Sequence, residues 1–332
     1  SLIKSKINEN KLALIIGIEN YSDIVKASYA NNDARYFKEY ATNVLGIKNN
    51  NIKLLVDQEA TYIEINKVLK NQDFIQGESV QQFEKAFAEM NNSKYCVAVN
   101  SGTAALHIAY AISDFDPSDE ILVPTNSFFS TAEAVSLANL KPVFVDIDAR
   151  TLAMNSNAIM SKVNRNTRAV FLSHIQGFNG LTDELLKFLE VKQIPLIEDV
   201  CESHGCEFRG KKGGSFGIMS NFSFYYAHHM STIEGGMVCT NDDRLYQDLR
   251  MLRAHGMVRE SNDQALKDGF IADNPELNSD FIFSVPGYNF RNNEIGGILG
   301  KSQLRKLDKN NARRTENLEL FLSLIDDRHY RT

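Results

Sequence analysis

Over the first seventy residues, short apolar runs alternate with segments in which the apolar residues have helical spacing. Residues 11–18 form a brief apolar run of the kind found in buried strands, and the apolar positions within 36–45 follow helical spacing up to Gly46, a natural helix stop. Residues 51–56 and 60–69 repeat the same pair of patterns. The pattern predicts a small lobe with the order strand, helix, strand, helix.

A second and longer pattern begins after residue 72. An amphipathic helix is predicted from about residue 76, and apolar runs then occur at 96–99, 119–123 and 194–198. Each run ends in a turn of small or polar residues, as strands of an α/β protein do where they approach a helix or a ligand. A last helix is predicted at 316–325.

Composition narrows the class of protein. The chain has 332 residues, 43% hydrophobic and 23% charged, with a formal net charge of -6. No Lys/Arg-rich run is present, so we expect no nucleic-acid partner. The early apolar stretch at 12–18 is too short to cross a bilayer, and we expect a cytoplasmic protein without a membrane partner.

The four cysteines show no CxxC spacing. We therefore expect neither a zinc site nor a disulfide framework, and we expect the thiols to be reduced. His228 and His229 are adjacent, and no carboxylate spacing accompanies them, so no metal site is predicted.

Three turns carry candidate chemistry. The turn at Gly102 and Thr103 opens a helix, where backbone N–H groups form a seat for phosphate, although a plain turn capped by Ser101 fits equally. Phe128 offers either a flat face to a planar ligand or ordinary core packing. Asp199, at the end of a buried strand, either binds a ligand or caps the following turn.

The segment Phe222-Ser-Phe-Tyr-Tyr-Ala-His-His-Met-Ser-Thr-Ile-Glu-Gly-Gly resembles the cofactor loop of the DegT/DnrJ/EryC1/StrS sugar aminotransferase family. In that family a lysine follows the Phe-Ser-Phe turn and holds pyridoxal phosphate covalently; here His228 stands in its place. An imidazole moves protons but forms no stable bond with an aldehyde. His229 competes for the role, and the Glu-Gly-Gly spacing selects His228.

The resemblance covers residues 74–325 and implies a fold and a set of site residues. The fold is the type I aminotransferase-like α/β/α sandwich of pyridoxal-phosphate-dependent transferases, with helices on both faces of a mostly parallel sheet. The resemblance implies that Gly102, Thr103 and Ser223 bind the cofactor phosphate, that Phe128 stacks on the cofactor ring and that Asp199 contacts the ring nitrogen. It also implies that Glu202 lies near the reacting centre and that His228 is the catalytic residue. Family members are dimers, so Asn289 would reach the partner's cofactor phosphate, and His255 would line its own or the neighbouring site.

With histidine in the lysine position, this chain resembles the 3-dehydratase branch of the family. This implies a cofactor cycling between pyridoxal and pyridoxamine 5'-phosphate, with glutamate as amino donor. The implied reaction is loss of the C3 hydroxyl from a nucleotide-linked 4-keto-6-deoxyhexose, such as GDP-4-keto-6-deoxymannose, in deoxysugar and O-antigen biosynthesis. A nucleotide-sugar aminotransferase relative is the alternative.

Residues 11–70 resemble the start of a caspase-like, metacaspase-type peptidase domain, through the strings at 13–21, 29–34 and 54–61. The His-Gly and Asp-x-Cys of that family do not follow, so no thiolate nucleophile is expected. We predict a partial caspase-like segment at 1–71, a cofactor-binding large domain at 72–285 and the start of a truncated small domain at 286–332. An inactive fusion fragment is the remaining alternative, since both ends resemble clipped domains.

Overall fold

The computed structural model describes residues 13–17, 38–39, 41–42, 47, 52–56, 58–72, 74–111 and 115–325. The chain divides into two compact units, Ser1–Phe74 and Ile75–Thr332.

The first unit contains two parallel strands, β1 (Ala13–Gly17) and β2 (Ile52–Val56), followed by helix α1 (Gln58–Asn71). These elements agree with the predicted strands and second helix. The string at 29–34, on which the caspase-like resemblance depends, lies outside the described residues. The caspase-like identity of this segment stays a prediction.

The second unit is built on a seven-stranded mixed sheet with the order β3-β11-β10-β7-β6-β4-β5. Its strands are β3 (Tyr95–Val99), β4 (Glu120–Pro124), β5 (Lys141–Val145), β6 (Thr167–Ser173), β7 (Leu196–Asp199), β10 (Met219–Ser223) and β11 (Gly236–Thr240). Strands β5, β4, β6, β7 and β10 run parallel, and β11 is antiparallel to both of its neighbours. Two short strands, β8 (Glu207–Phe208) and β9 (Lys211–Lys212), form a separate hairpin.

Helices cover both faces of this sheet. They are α2 (Glu78–Asn91), α3 (Gly102–Ala111), α4 (Ser130–Leu137), α5 (Ser156–Lys162), α6 (Asp183–Lys192), α7 (Asp243–Leu252), α8 (Gln264–Asp273), α9 (Glu294–Leu304) and α10 (Leu307–Leu324). The last helix begins nine residues before the predicted start at 316. None of the described helices combines the length and the apolar character needed to cross a membrane.

The strands are apolar because both sheet faces are buried. Along β4, Ile121 and Val123 pack with α3 in one core cluster, whereas Leu122 points to the opposite face and packs with residues of α5 and α6. Alternation of direction along a strand places successive residues on opposite faces, so a sheet covered on both sides reads as a continuous apolar run. This explains why the apolar runs predicted from the sequence correspond to the largely buried strands β3, β4 and β7.

Cys96 and Cys239 stand directly opposite each other on β3 and β11, with Cα atoms 4.2 Å apart, and form a disulfide. The expectation of reduced, unpaired thiols was therefore wrong for this pair. The two residues are 143 positions apart in the chain, and only the strand order brings them together. Cys201 and Cys206 are free.

Candidate active site

The candidate site lies where the parallel strands end. Carboxyl ends of parallel strands meet at one edge of a sheet, and ligands of α/β proteins bind there. A cavity of about 510 Å³ opens at this edge, and we call it the central cavity. Seven residues predicted from the sequence line it: Gly102, Thr103, Phe128, Asp199, Glu202, Ser223 and His228.

The first corner of the cavity is the start of helix α3. The Ser101 hydroxyl accepts a hydrogen bond from the Ala104 backbone N at 3.0 Å and so caps the helix. The first-turn N–H groups of Gly102 and Thr103 have no acceptor within the helix. A Cβ built on Gly102 would lie 2.6 Å from the Ser223 Cβ, so only glycine lets the helix start approach strand β10 this closely. Backbone N–H groups and hydroxyls at a helix start form a donor set that fits a phosphate.

The second corner is Asp199, whose carboxylate accepts hydrogen bonds from three of the described residues. The Cys201 backbone N and the Asn221 Nδ2 donate to Oδ1 at 3.0 and 3.1 Å, and the Ser173 hydroxyl donates to Oδ2 at 3.2 Å. Asp199 is only partly buried and lines the cavity. It therefore caps the following turn and also faces the cavity, and its role in binding a ligand stays a prediction.

The neighbouring carboxylate, Glu198, points away from the cavity and is fully buried. It accepts hydrogen bonds from the backbone N of Gly214, Phe216 and Gly217 at 2.7 to 2.8 Å and contacts His174 Nε2 at 3.0 Å. A buried carboxylate is tolerated when its oxygens are satisfied in this way. Glu198 thus anchors the 214–217 loop behind the end of β7 and is a structural residue.

His228 and His229 lie on different sides of the same turn. His228 is partly buried and lines the central cavity. Burial lowers the pKa of His228 below its ordinary value, although the charges of Asp199 and Glu202 act in the opposite direction. His228 is therefore a neutral imidazole near pH 7, able to accept a proton.

His229 lines a second cavity of about 420 Å³, together with Asn311 and Arg314. Burial, followed by the positive charge of Arg314, lowers the pKa of His229 to about 4. The central cavity therefore contains His228 and not His229, and the catalytic role of His228 stays a prediction.

The charged lining of the central cavity is acidic. Asp199, Glu202 and Glu234 contribute carboxylates, and none of the lining residues in the described part of the chain is a lysine or an arginine. The described lining therefore offers no side-chain amine that could hold an aldehyde covalently. The corner formed by Gly102, Thr103 and Ser223, which we call the phosphate corner, offers neutral donors.

The remaining predicted residues have different surroundings. Phe128 is 68% exposed on the cavity wall, which excludes the core-packing interpretation within this chain. His255 and Asn289 are exposed and do not line the central cavity. His255 has left-handed backbone geometry, with φ 65°, and the Asn289 Oδ1 accepts a hydrogen bond from Arg291 at 3.3 Å.

Three polar residues near the site were missed in the sequence. Ser173 and Asn221 hold the Asp199 carboxylate, and His204 packs beside His229, with ring centroids 5.4 Å apart. His204 is buried, and neither ring nitrogen has a hydrogen-bond partner among the described residues. No local motif marks these positions, because their contacts depend on strands and turns that are distant in the chain.

Comparison with known proteins agrees with this geometry. The family model of the DegT/DnrJ/EryC1/StrS aminotransferase family matches residues 56–332. The chain is 36% identical over 275 residues to GDP-4-keto-6-deoxy-D-mannose 3-dehydratase of Escherichia coli O55:H7, covering 81% of this chain and 71% of that protein.

Two solved structures are also similar. One is the Escherichia coli GDP-4-keto-6-deoxy-D-mannose-3-dehydratase with bound hydrated PLP (pyridoxal 5'-phosphate), with TM-score 0.72 and 34% identity, covering 79% of this chain and 69% of that one. The other is a GDP-4-keto-6-deoxymannose-3-dehydratase with a trapped PLP-glutamate geminal diamine, with TM-score 0.68 and 34% identity, covering 75% and 66%. This chain therefore belongs to the DegT/DnrJ/EryC1/StrS aminotransferase family.

Proposed function

We propose that this protein is a B6-dependent 3-dehydratase that removes the C3 hydroxyl from a nucleotide-linked 4-keto-6-deoxyhexose, with GDP-4-keto-6-deoxymannose as the first candidate substrate. The observation that carries the proposal is His228 in a cavity whose described lining contains no lysine. The similar proteins named as 3-dehydratases support the same reaction.

The donor set of the central cavity fits the coenzyme. The phosphate would be held by the N–H groups of Gly102 and Thr103 and by the Ser223 hydroxyl, and the pyridine nitrogen by Asp199. Phe128 offers an exposed ring face to the planar ring. The chemistry supplied by the bound coenzyme is an amine that joins a ketone and a ring that stabilises a neighbouring carbanion.

His228 provides the base. Because burial keeps the imidazole neutral, it can take a proton at the reacting carbon and return it to the departing C3 oxygen. Glu202 lines the same cavity, accepts a hydrogen bond from the Gln176 backbone N at 3.3 Å and stabilises the protonated imidazole. Without a lysine the coenzyme must be held by hydrogen bonds and packing alone.

Glutamate is the proposed amino donor. The C3 deoxygenation releases the amino group as ammonia, so each turnover consumes one amino group, and glutamate restores it while becoming 2-oxoglutarate. A similar 3-dehydratase with a trapped PLP-glutamate geminal diamine supports this choice. The net products are a 3-deoxy sugar, ammonia and 2-oxoglutarate.

A second copy of the chain is proposed to complete the site. The coenzyme and the nucleotide sugar both carry phosphate, whereas the charged groups of the described cavity lining are carboxylates at Asp199, Glu202 and Glu234. Such ligands need positive or donor groups from another source. Asn289 and His255 are exposed outside the cavity and are the residues proposed to reach the neighbouring site in a homodimer.

The alternative is a nucleotide-sugar aminotransferase, in which the amino group stays on the sugar. One incubation distinguishes the two activities: protein, PLP, glutamate and GDP-4-keto-6-deoxymannose, with products followed by NMR and by an ammonia assay. We expect a 3-deoxy sugar and ammonia in equal amounts, and no product with His228→Asn. A 4-amino sugar without ammonia would support transamination, and an inert protein with bound coenzyme would support the inactive alternative.

A further inference from the structure

The Asn221 side chain makes its contacts to the residues at the end of the neighbouring strand, β7. Asn221 on β10 pairs in register with Asp199 on the parallel strand β7. Its Nδ2 donates to Asp199 Oδ1 at 3.1 Å and to Cys201 Sγ at 3.3 Å. Its Oδ1 has no hydrogen-bond partner among the described residues. The amide is thus oriented by Asp199 and its turn, since an oxygen facing the carboxylate would repel it.

Asn221 is fully buried and does not line the central cavity. Burying an amide with one unsatisfied oxygen destabilises a fold, and an apolar residue of similar size would avoid that cost. A role in holding the Asp199 carboxylate would justify the buried amide.

The two oxygens of Asp199 are therefore not equivalent. Among the described residues, Oδ1 accepts hydrogen bonds from Cys201 N and Asn221 Nδ2, whereas Oδ2 accepts one, from Ser173. An ionised carboxylate oxygen accepts about two hydrogen bonds. Within the described part of the chain, Oδ2 therefore keeps an open acceptor position and Oδ1 does not.

We propose that Asn221 is a positioning residue: it occupies Oδ1 of Asp199, fixes the orientation of the carboxylate and so leaves Oδ2 to accept a hydrogen bond from the ring N–H of the coenzyme. This inference rests on the proposed B6 coenzyme. The sequence predicted Asp199 as the carboxylate that contacts the coenzyme ring. The structure adds Asn221, the buried amide that orients this carboxylate.

The test compares two coenzymes by equilibrium dialysis: PLP and 1-deaza-PLP, in which carbon replaces the ring nitrogen. Only PLP can receive the Asp199 contact, so the ratio of the two dissociation constants measures that contact alone. We expect wild type to prefer PLP by about 10-fold or more, and Asn221→Leu to lose most of that preference. Asn221→Ala provides a second variant should the leucine prevent folding.

Ser220→Ala is the matched control, because Ser220 is the buried neighbour on β10 and its hydroxyl donates to Gly214 O instead, at 2.6 Å. This variant should keep the wild-type ratio. A purely structural role of Asn221 would weaken both coenzymes equally, and an unchanged ratio in Asn221→Leu and Asn221→Ala would overturn the inference. Equal affinities in wild type would overturn the role of Asp199 itself, and with it this inference.

Discussion

Gly102 approaches Ser223 so closely that a Cβ on Gly102 would lie 2.6 Å from the serine Cβ and 2.9 Å from its Oγ. Contacts under 3 Å force one of the two backbones to move, here the start of helix α3 or the end of strand β10. Both elements contribute donors to the phosphate corner. Their separation therefore decides whether the corner keeps its shape.

Gly102→Ala should weaken PLP binding by about 10-fold or more, because a shift of the corner weakens charge-assisted hydrogen bonds to phosphate. Fluorescence titration of the apoprotein measures this. Gly269→Ala is the control, since nothing lies within 4 Å of a Cβ at Gly269 in helix α8, and alanine there should stabilise the helix slightly. Equal affinity in Gly102→Ala and wild type would refute the phosphate assignment.

Arg253 and Glu84 form an ion pair in the interior, 2.5 Å apart and almost without exposure. Arg253 also donates to Ala98 O at 2.8 Å, which ties helix α2 to strand β3. Replacing one partner leaves the other charge buried without a counter-ion, so Glu84→Leu should lower the free energy of unfolding by about 3–5 kcal/mol. The double variant with Glu84→Leu and Arg253→Met should lose less free energy of unfolding than the sum of the losses in the two single variants.

Urea unfolding measures both effects. Glu316→Ala, which removes the exposed pair with Arg313 in helix α10, serves as the comparison and should cost under about 1 kcal/mol. Additive costs at Glu84 and Arg253 would show that the pair is not coupled.

The depressed pKa of His229 predicts a loss of stability in mild acid. The unfolded chain binds a proton at this residue near pH 6.5, whereas the folded protein does so at about 4. Between these values the unfolded state holds more protons, so stability rises with pH and is lost as the pH falls from 6.5 towards 4.

His229→Asn should therefore make the dependence of melting temperature on pH shallower in that window. The effect should not exceed about 2 kcal/mol, because the ring is partly exposed and solvent screens it. His255→Asn, at an exposed position, is the matched control. An unchanged pH profile in His229→Asn would show that this residue does not carry the effect.

A shared active site predicts complementation between inactive variants. If Asn289 serves the neighbouring site, a mixed dimer of His228→Asn and Asn289→Ala contains one intact site out of two. Random mixing then restores about a quarter of the wild-type activity. Refolding an equal mixture and assaying ammonia release tests this. Activity no higher than the average of the two separate variants would place both residues in the same subunit's site.

Local signals predicted much of the site. Gly102 lies where a helix begins and Asp199 where a strand ends, and a strand end in an α/β fold is where ligands bind. His228 lies in the loop between β10 and β11 and was predicted from the family resemblance. The family resemblance then assigned their roles. The cavity lining agrees with seven of the predicted residues, although their roles stay predictions.

Contacts made across the sheet were beyond the reach of local patterns. Asn221 and Ser173 contact Asp199 because β10, β7 and β6 are neighbours in the sheet. The order of strands in a sheet cannot be predicted from the pattern of any single segment. The Cys96–Cys239 disulfide depends on the same non-local pairing. The caspase-like segment at 1–71 and the division at 285–286 stay predictions.

A single-turnover experiment tests the central claim most directly: protein loaded with pyridoxamine phosphate, without glutamate, is mixed with GDP-4-keto-6-deoxymannose. We predict one equivalent of 3-deoxy sugar and one of ammonia per site, return of the coenzyme to its aldehyde form, and no coenzyme fixed to the protein by borohydride. His228→Asn should bind the coenzyme but form no product. A 4-amino sugar as the product, or a coenzyme that borohydride attaches to a lysine of the wild-type chain, would contradict the account.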